Sequence, residues 1–213
     1  EAGDVYLREG YSMSDVFTTG ILQRGRDGKL VEEGNGYQVD RSQRIRLGSA
    51  DPDFTMGWRH DINYKNISLG LMITGRFGGI VTSQTQAFMD AFGVSKVSAE
   101  ARDNGGVMLD GHRYDAERYY NTVGGQGLMS YYTYDATNVR LQELSLTYSL
   151  PKKWLGDVFN NATISFVGRN LFMFYRKAPF DPDMNGSTGT YNRSDFFMAP
   201  SLRNLGFSIK FSL

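Results

Sequence analysis

The sequence predicts an all-β fold, a transmembrane antiparallel β-barrel to which this chain supplies strands and long extracellular loops. Three observations support this prediction. Residues 205–213 alternate without a break between apolar and polar side chains. Two earlier runs, residues 54–64 and 67–77, alternate in opposite phase around one short turn. A period of two gives a strand one apolar and one polar face, and membrane barrels turn the apolar face toward lipid.

The composition limits the class of protein. With 23 basic and 23 acidic residues, no net charge attracts nucleic acid, and none is expected as a partner. There are no cysteines, which excludes disulfides, thiolate nucleophiles and thiolate metal ligands. No run of about 18 apolar residues is present, so transmembrane helices are excluded. Aromatic residues make up 14% of the chain and glycines number 25, which is typical of β-structure with long loops.

Residues 1–52 are predicted to form an extracellular loop region that contains a hairpin. Segments 16–23 and 30–39 can pair across a turn with hairpin chemistry, formed by Arg26, Asp27, Gly28 and Lys29. The remaining residues, 53–213, are predicted to hold the C-terminal barrel strands and the extracellular loops between them.

A long hairpin is predicted over residues 54–77. A two-residue turn at Lys65 and Asn66 puts every apolar residue of both runs on one face. The pairs that this turn predicts are Tyr64 with Ile67, Ile62 with Leu69, Trp58 with Ile73 and Phe54 with Phe77. The alternation of each run is independent of the other, yet one turn brings the apolar residues of both runs to the same face. The pairing register of the two strands is therefore strongly specified.

The alternation of apolar and polar residues stops after residue 77 and returns at residue 139. Residues 78–137 are predicted to be a long extracellular loop with one short helix near residues 83–92. A strand follows over residues 139–150, in which the apolar parity slips near Glu143, as a β-bulge causes. Pro151 ends this strand because proline cannot donate to the ladder.

The last part of the chain holds two more strands. A short connection leads to a strand at residues 162–175, and an extracellular loop at residues 176–200 precedes the terminal strand, which is expected to pair with residues 162–175. Short turns at one end and long loops at the other are typical of outer-membrane barrels. About five crossing strands result, and a closed single-chain barrel needs at least about eight. We therefore expect this chain to be the C-terminal part of a larger barrel.

Several sequence stretches resemble one family when taken in series. They are GYSMSDV at 10–16, LGSADPDFT at 47–55, YKN at 64–66, GRFGG at 75–79, DATNVRLQELSLTYSLP at 135–151, GRNLF at 168–172 and FDPD at 180–183. In order and spacing, they resemble the C-terminal barrel portion of SusC/RagA-family TonB-dependent outer-membrane transporters over residues 10–213.

The resemblance implies a barrel of about 22 strands with an internal plug in the outer membrane of a Gram-negative bacterium, in contact with the lipid bilayer and lipopolysaccharide. It also implies a SusD-like surface lipoprotein as a lid, import of oligosaccharides or peptides, and coupling to the TonB complex through an N-terminal part that this chain lacks. The family usually ends on an aromatic residue, which the barrel-assembly machinery reads, whereas this chain ends on Leu213.

Loop tyrosines are the candidate substrate-binding residues, because flat rings stack on sugar faces and the hydroxyl adds a donor. They are Tyr119, Tyr120, Tyr131, Tyr132 and Tyr134. The alternative is that these rings pack the loop onto itself or onto the lid protein. The sequence leaves both alternatives open.

Charged residues on the polar faces of the strands are predicted to face the lumen. They are Arg59, Asp61, Arg76, Arg169 and Lys210. These side chains either guide substrate or contact the plug, and contact with the plug is favoured because a plug fills the lumen of such transporters.

Catalysis, cofactors and bound metals have little support. The only histidines, His60 and His112, lack metal-ligand spacing, and no Gly-x-Ser-x-Gly elbow is present, so we expect no enzymatic activity. The acidic segments 51–53 and 181–183 fit Asx-Pro turns better than a calcium site. The alternative function is a soluble β-sandwich module that binds carbohydrate, in which a second sheet would cover the apolar face.

Overall fold

The structure is a computed structural model that describes residues 4–5, 9–155, 159–183 and 194–212. Its strands are β1 (Asp4–Val5), β2 (Asp15–Leu22), β3 (Glu32–Glu33), β4 (Gly36–Tyr37), β5 (Val39–Ser49), β6 (Phe54–Tyr64), β7 (Ile67–Phe77), β8 (Ile80–Ser83), β9 (Val107–Leu109), β10 (His112–Tyr114), β11 (Thr133–Asp135), β12 (Asn138–Ser149), β13 (Asn161–Arg176), β14 (Ser194–Asp195) and β15 (Asn204–Ser212). Its helices are α1 (Gln84–Ala91), α2 (Lys96–Asp103), α3 (Ala116–Val123) and α4 (Lys152–Leu155), with a 3-10 turn at Met129–Tyr131. Within these residues, no helix has both the length and the hydropathy needed to span a membrane.

Contacts along the chain define two compact units. The sheet unit comprises Pro52–Gly78, Ala136–Asp183 and Pro200–Leu213. The mixed unit comprises Glu1–Asp51, Gly79–Asp135 and Met184–Ala199. The described chain is mostly β, as the sequence predicts, but the mixed unit also contains α1, α2 and α3.

The sheet unit is a five-stranded antiparallel meander in the order β6-β7-β12-β13-β15. The predicted hairpin register is confirmed, because Tyr64 pairs with Ile67 and Phe54 pairs with Phe77, with every pair between them in step. Lys65 closes the two-residue turn with a φ of +52°, the left-handed backbone conformation that tight hairpin turns require. Each strand of this sheet therefore pairs with the member of the same sheet that comes next along the chain, although β8 to β11 intervene between β7 and β12 and β14 between β13 and β15.

The predicted bulge near Glu143 is also confirmed. The register of β12 shifts between Leu141 and Glu143 against both β7 and β13. Against β7, one extra residue of β12 fits between these two positions, and this reverses the alternation. On β13, Asn170 takes a φ of +53° at the same level. The bulge keeps Leu141 and Leu144 on one face although their separation in sequence is odd.

The terminal strand pairs with β13, as predicted. Ala162 lies opposite Phe211, and Phe166 lies opposite Phe207. The described strand ends at Ser212, so the predicted alternation at Leu213 lies outside the described residues.

The meander has one apolar and one polar face. Apolar side chains with exposed fractions between 41% and 66% share one face, namely Phe54, Trp58, Ile62, Ile67, Leu146, Phe166, Phe172, Phe207, Ile209 and Phe211. The opposite face carries hydroxyls and charges, including a 2.9 Å hydrogen bond between the hydroxyls of Thr147 and Ser165. One face is therefore suited to an apolar environment and the other to a polar one.

The mixed unit is built on a pairing that differs from the predicted hairpin. The turn at residues 25–29 forms, with Arg24 bridged to Leu30, but β2 takes β5 as its long antiparallel partner. The backbone N–H of Leu30 donates to Tyr114 Oη at 3.1 Å, and that of Tyr37 donates to Thr122 Oγ1 at 3.0 Å. These donors are thus used by side chains from later in the chain. The predicted pairing of segments 16–23 and 30–39 is limited to Leu22 with Val39 and to backbone hydrogen bonds that join Gln23 to Val31 and Gln38.

The helices of the mixed unit begin at side-chain caps. Ser83 caps α1, which confirms the helix predicted near residues 83–92, Ser95 caps α2 and Asp115 caps α3. The three helices and β2 enclose one hydrophobic core that contains Leu22, Ala87, Tyr119, Tyr120, Val123, Leu128, Met129 and Tyr132.

Candidate functional site

The polar face of the sheet unit carries the charges that the sequence assigns to the lumen. Strand pairing puts Arg59, Asp61, Arg76, Arg169 and Lys210 on this one face. Arg59 Nε donates to Asp61 Oδ2 at 2.8 Å, and Arg169 Nε donates to Glu143 Oε2 at 3.1 Å. Both pairs are open to solvent, so their guanidinium and carboxylate groups remain accessible to a molecule placed against the face.

A buried ionic cluster lies at the end of this face, and the sequence did not single out its central residue. Arg140 Nη2 lies 2.7 Å from both Asp181 Oδ1 and Asp183 Oδ2. The side chains of Arg140 and Asp181 are only 8% and 9% exposed. Arg76 Nη1 lies 3.7 Å from Asp183 Oδ1. The cluster therefore fastens the start of the loop at residues 176–200 to strands β7 and β12.

Asp181 combines this ion pair with turn chemistry. Its carboxylate accepts hydrogen bonds from the backbone N–H of Asp183 at 3.1 Å and of Ser201 at 3.3 Å. Burial raises the pKa of Asp181, but the hydrogen bonds from Ser201, Arg140 and Asp183 outweigh burial and hold that pKa below its ordinary value. The geometry supports the turn interpretation of segment 181–183.

The candidate tyrosines lie in the mixed unit, and most of them are buried. The rings of Tyr119, Tyr120 and Tyr132 belong to its hydrophobic core, and Tyr134 packs against that core. Tyr119 and Tyr120 meet edge to face with centroids 5.2 Å apart. For these residues, the structure favours the alternative that the rings pack the loop onto itself.

Tyr131 differs from the other four tyrosines. Its side chain is 39% exposed, and its hydroxyl accepts a hydrogen bond from the backbone N–H of Leu22 at 3.2 Å. The ring is thus held in place while part of it faces solvent. Of the five candidates, Tyr131 has the ring most available to a ligand.

The two histidines have aromatic neighbours. His60 stacks on Trp58 with centroids 5.6 Å apart on the apolar face of the hairpin, and His112 lies 6.5 Å from the ring of Tyr114. Among residues 9–155, 159–183 and 194–212, no group of three or more histidine, aspartate or glutamate side chains has the geometry of a metal site.

Comparisons with known proteins identify similar chains. TonB-dependent receptor P3 of Formosa agariphila is 29% identical over 222 residues, which cover 95% of this chain and 22% of that protein. TonB-dependent receptor P26 of the same organism is 26% identical over 192 residues, which cover 85% of this chain and 19% of that protein. No family model matches the chain.

A solved structure shares the fold. A chain of the RagAB peptide importer in its open-open state superposes with a TM-score of 0.62 at 15% identity, over 98% of this chain and 24% of that one. This chain thus spans about a fifth of the length of the curated relatives and about a quarter of the RagAB chain. The resemblance to TonB-dependent receptors that the sequence predicts is confirmed.

Proposed function

We propose that this chain, which resembles the TonB-dependent receptors, forms the C-terminal strands of an outer-membrane barrel that imports oligosaccharides or peptides. The observation that carries the proposal is the five-stranded meander with one exposed apolar face and one charged face. Contiguous apolar surface of this extent marks a membrane or protein contact. A lipid-facing barrel wall has this construction.

Strand length supports a membrane crossing. Strands β6 and β7 each contain 11 residues, which is roughly 36 Å of chain at about 3.3 Å per residue. At a tilt of about 40°, such a strand spans an apolar band about 25 Å tall. Strands in ordinary soluble sheets have about 5 to 6 residues.

The charged face supports a lumen that contacts a plug or substrate. Arg59 and Arg169 each have a carboxylate partner on the same face, so the face is charged but locally balanced. Such a surface suits docking against a polar domain rather than strong attraction of one charge sign. We expect contact with the plug to be the main role of Arg59, Asp61, Arg76, Arg169 and Lys210.

The proposed partners follow from the resemblance. A solved structure that shares the fold is that of the RagAB peptide importer, and the two curated relatives described above are named TonB-dependent receptors. We propose a SusD-like surface lipoprotein, the TonB complex, the bilayer with lipopolysaccharide, and an oligosaccharide or peptide substrate, in the outer membrane of a Gram-negative bacterium. We also propose that the chain has no enzymatic activity.

A soluble carbohydrate-binding β-sandwich is the alternative. In a sandwich, a second sheet covers the apolar face and its side chains interdigitate across a layer about 10 Å thick. Within the described part of the chain, no second sheet covers Phe54, Phe172 and Phe207, each of which is more than half exposed. The long strands also favour the barrel over the sandwich.

Detergent dependence decides between the two functions. The intact protein should extract from native membranes only with detergent and should remain monodisperse only in detergent or lipid, because the apolar face needs a cover. The measurement is size-exclusion chromatography before and after detergent removal. A monodisperse protein in plain buffer would exclude the barrel.

A further inference from the structure

A cavity lies among the three helices of the mixed unit, and the proposed function assigns it no ligand. Its volume is about 320 Å³, at the lower end of the usual range for ligand pockets. The lining comes from the C-terminal end of α1, from α2 and from the first turns of α3, and includes Asp90, Phe92, Ser98, Arg102, Glu117 and Tyr120. A space of this size holds one side chain or chain end rather than a whole peptide.

Asp90 is a buried carboxylate without a cationic partner among the described residues. The residue is 5% exposed, and its Oδ1 accepts a hydrogen bond from Gln86 Nε2 at 2.8 Å. In the part of the chain that the structure describes, no lysine, arginine or histidine forms an ion pair with it. Burying a charge is costly unless it is paired, so this carboxylate favours the arrival of a cation in the cavity.

The other charges around the cavity leave it negative. Glu117 adds a second carboxylate at the exposed rim. The guanidinium of Arg102 is directed at the backbone, since its Nη1 donates to the carbonyl oxygen of Gly93 at 2.6 Å. The C-terminal end of α1 adds its partial negative charge. The N-terminus of α3 is already capped by Asp115, which accepts from the N–H of Arg118 at 2.9 Å.

The cavity also has aromatic walls. Phe92 and Tyr120 both line it, and Phe92 is 77% exposed. Burial, and then the negative charge of Asp90, raise the pKa of Tyr120, so its phenol stays neutral. Aromatic faces attract ammonium and guanidinium groups through their quadrupole. A carboxylate beside aromatic rings is therefore suited to bind an organic cation.

We propose that this cavity binds the cationic group of a peptide, either a lysine or arginine side chain or a free amino terminus. The proposal rests on the proposed import function and deepens it, because it selects peptides with an accessible positive charge. The buried Asp90 supplies the counter-charge, Glu117 adds to it at the rim, and Phe92 and Tyr120 contact the apolar part of the group.

The test measures binding of short glycine–serine peptides to the intact, detergent-solubilised transporter. One peptide carries a central lysine and a blocked amino terminus, a second has a free amino terminus and no lysine, and a third is neutral and blocked. Asp90→Asn keeps the shape and the Gln86 hydrogen bond but removes the charge. Asp103→Asn, on the exposed surface of α2 and outside the cavity lining, is the matched control.

Asp90→Asn should weaken binding of the lysine peptide, the free-terminus peptide, or both by roughly tenfold to a hundredfold, the usual effect of losing a hydrogen-bonded charge. The neutral peptide and Asp103→Asn should show no change. Which cationic peptide responds identifies the source of the charge. Glu117→Gln, at the exposed rim, should weaken the same peptide by a few-fold, and it tests the site even if Asp90→Asn fails to fold.

Three results would overturn the proposal. The first is that Asp90→Asn weakens binding of the charged and the neutral peptides equally. The second is that Glu117→Gln and Asp103→Asn have equal effects on peptide binding. The third is that the wild-type transporter binds none of the peptides. The last result leaves detergent dependence unchanged, so failure of this inference is distinguishable from failure of the proposed function.

Discussion

At the scale of residues, Arg140 shows how one buried charge can fix a loop to a strand. Its guanidinium bridges two carboxylates from segment 181–183, and both distances are 2.7 Å. Sequence patterning did not single out Arg140, because a charged residue on the polar face of a strand is ordinary until its partner is known. The motif FDPD at residues 180–183 marks the acidic partners in the sequence, but only the fold brings this motif next to Arg140.

Replacing Arg140 should be much more harmful than replacing Arg169. Arg140→Ala leaves Asp181 buried without its counter-charge, which costs about 3 to 5 kcal/mol in the free energy of unfolding. The side chain of Arg169 is 64% exposed, and an exposed ion pair contributes at most about 1 kcal/mol. The measurement is the temperature at which the heat-modifiable gel mobility of the intact transporter is lost. Similar temperatures for the two variants would contradict the buried cluster.

Asp181 should make the loop attachment sensitive to acid. Because its pKa is lowered in the folded protein from an ordinary value of 3.8, its contribution to stability is complete above about pH 4. This contribution is lost as the pH falls through the folded-state pKa. The stability difference between wild type and Asp181→Asn should therefore shrink below about pH 4. A difference that stays constant throughout the acid titration would disprove the assignment.

At the scale of elements, the sequence predicted the long strands well. In the sheet unit, one face is apolar and the other polar, and this difference is encoded directly in alternating residues. The turn at Lys65 and the bulge at Glu143 follow from parity alone. The mixed unit was predicted poorly because its helices are short and the burial of many of its tyrosine rings follows no regular period in the sequence. Three-dimensional packing decides its pairing, as the N–H of Leu30 shows by donating to Tyr114.

The confirmed register of β7 makes a prediction about its two faces. Ile73 pairs with Trp58 on the apolar face, and Thr74 pairs with Gly57 on the polar face. Ile73→Arg should cost about 2 to 4 kcal/mol if the position lies near the bilayer midplane, whereas Thr74→Arg should be tolerated.

Heat-modifiable gel mobility of the two variants in outer membranes provides the comparison. Both variants add the same charge at adjacent positions, so each serves as the control for the other. Equal behaviour would show that the apolar face does not meet lipid.

At the scale of the whole molecule, the meander ends in two strands that pair on one side only among the described residues. These strands are β6 and β15. Free strand edges and an uncovered apolar face promote edge-to-edge aggregation. Residues 1–213 expressed alone should therefore not form a soluble monomer, and circular dichroism with analytical ultracentrifugation measures this. A monomeric segment that melts cooperatively would contradict both this prediction and the proposed barrel.

The paired positions of Arg76 and Asn138 also determine how the chain tolerates changes in the segment between them. The strands on either side of the segment Gly79–Asp135 meet in register at Arg76 and Asn138, so the chain leaves and rejoins the meander at neighbouring points. Doubling the length of such an excursion adds only about 0.6 kcal/mol of loop-closure entropy. A segment of different length and chemistry can therefore replace this excursion at low cost in loop-closure entropy, while the strands beside it keep their partners.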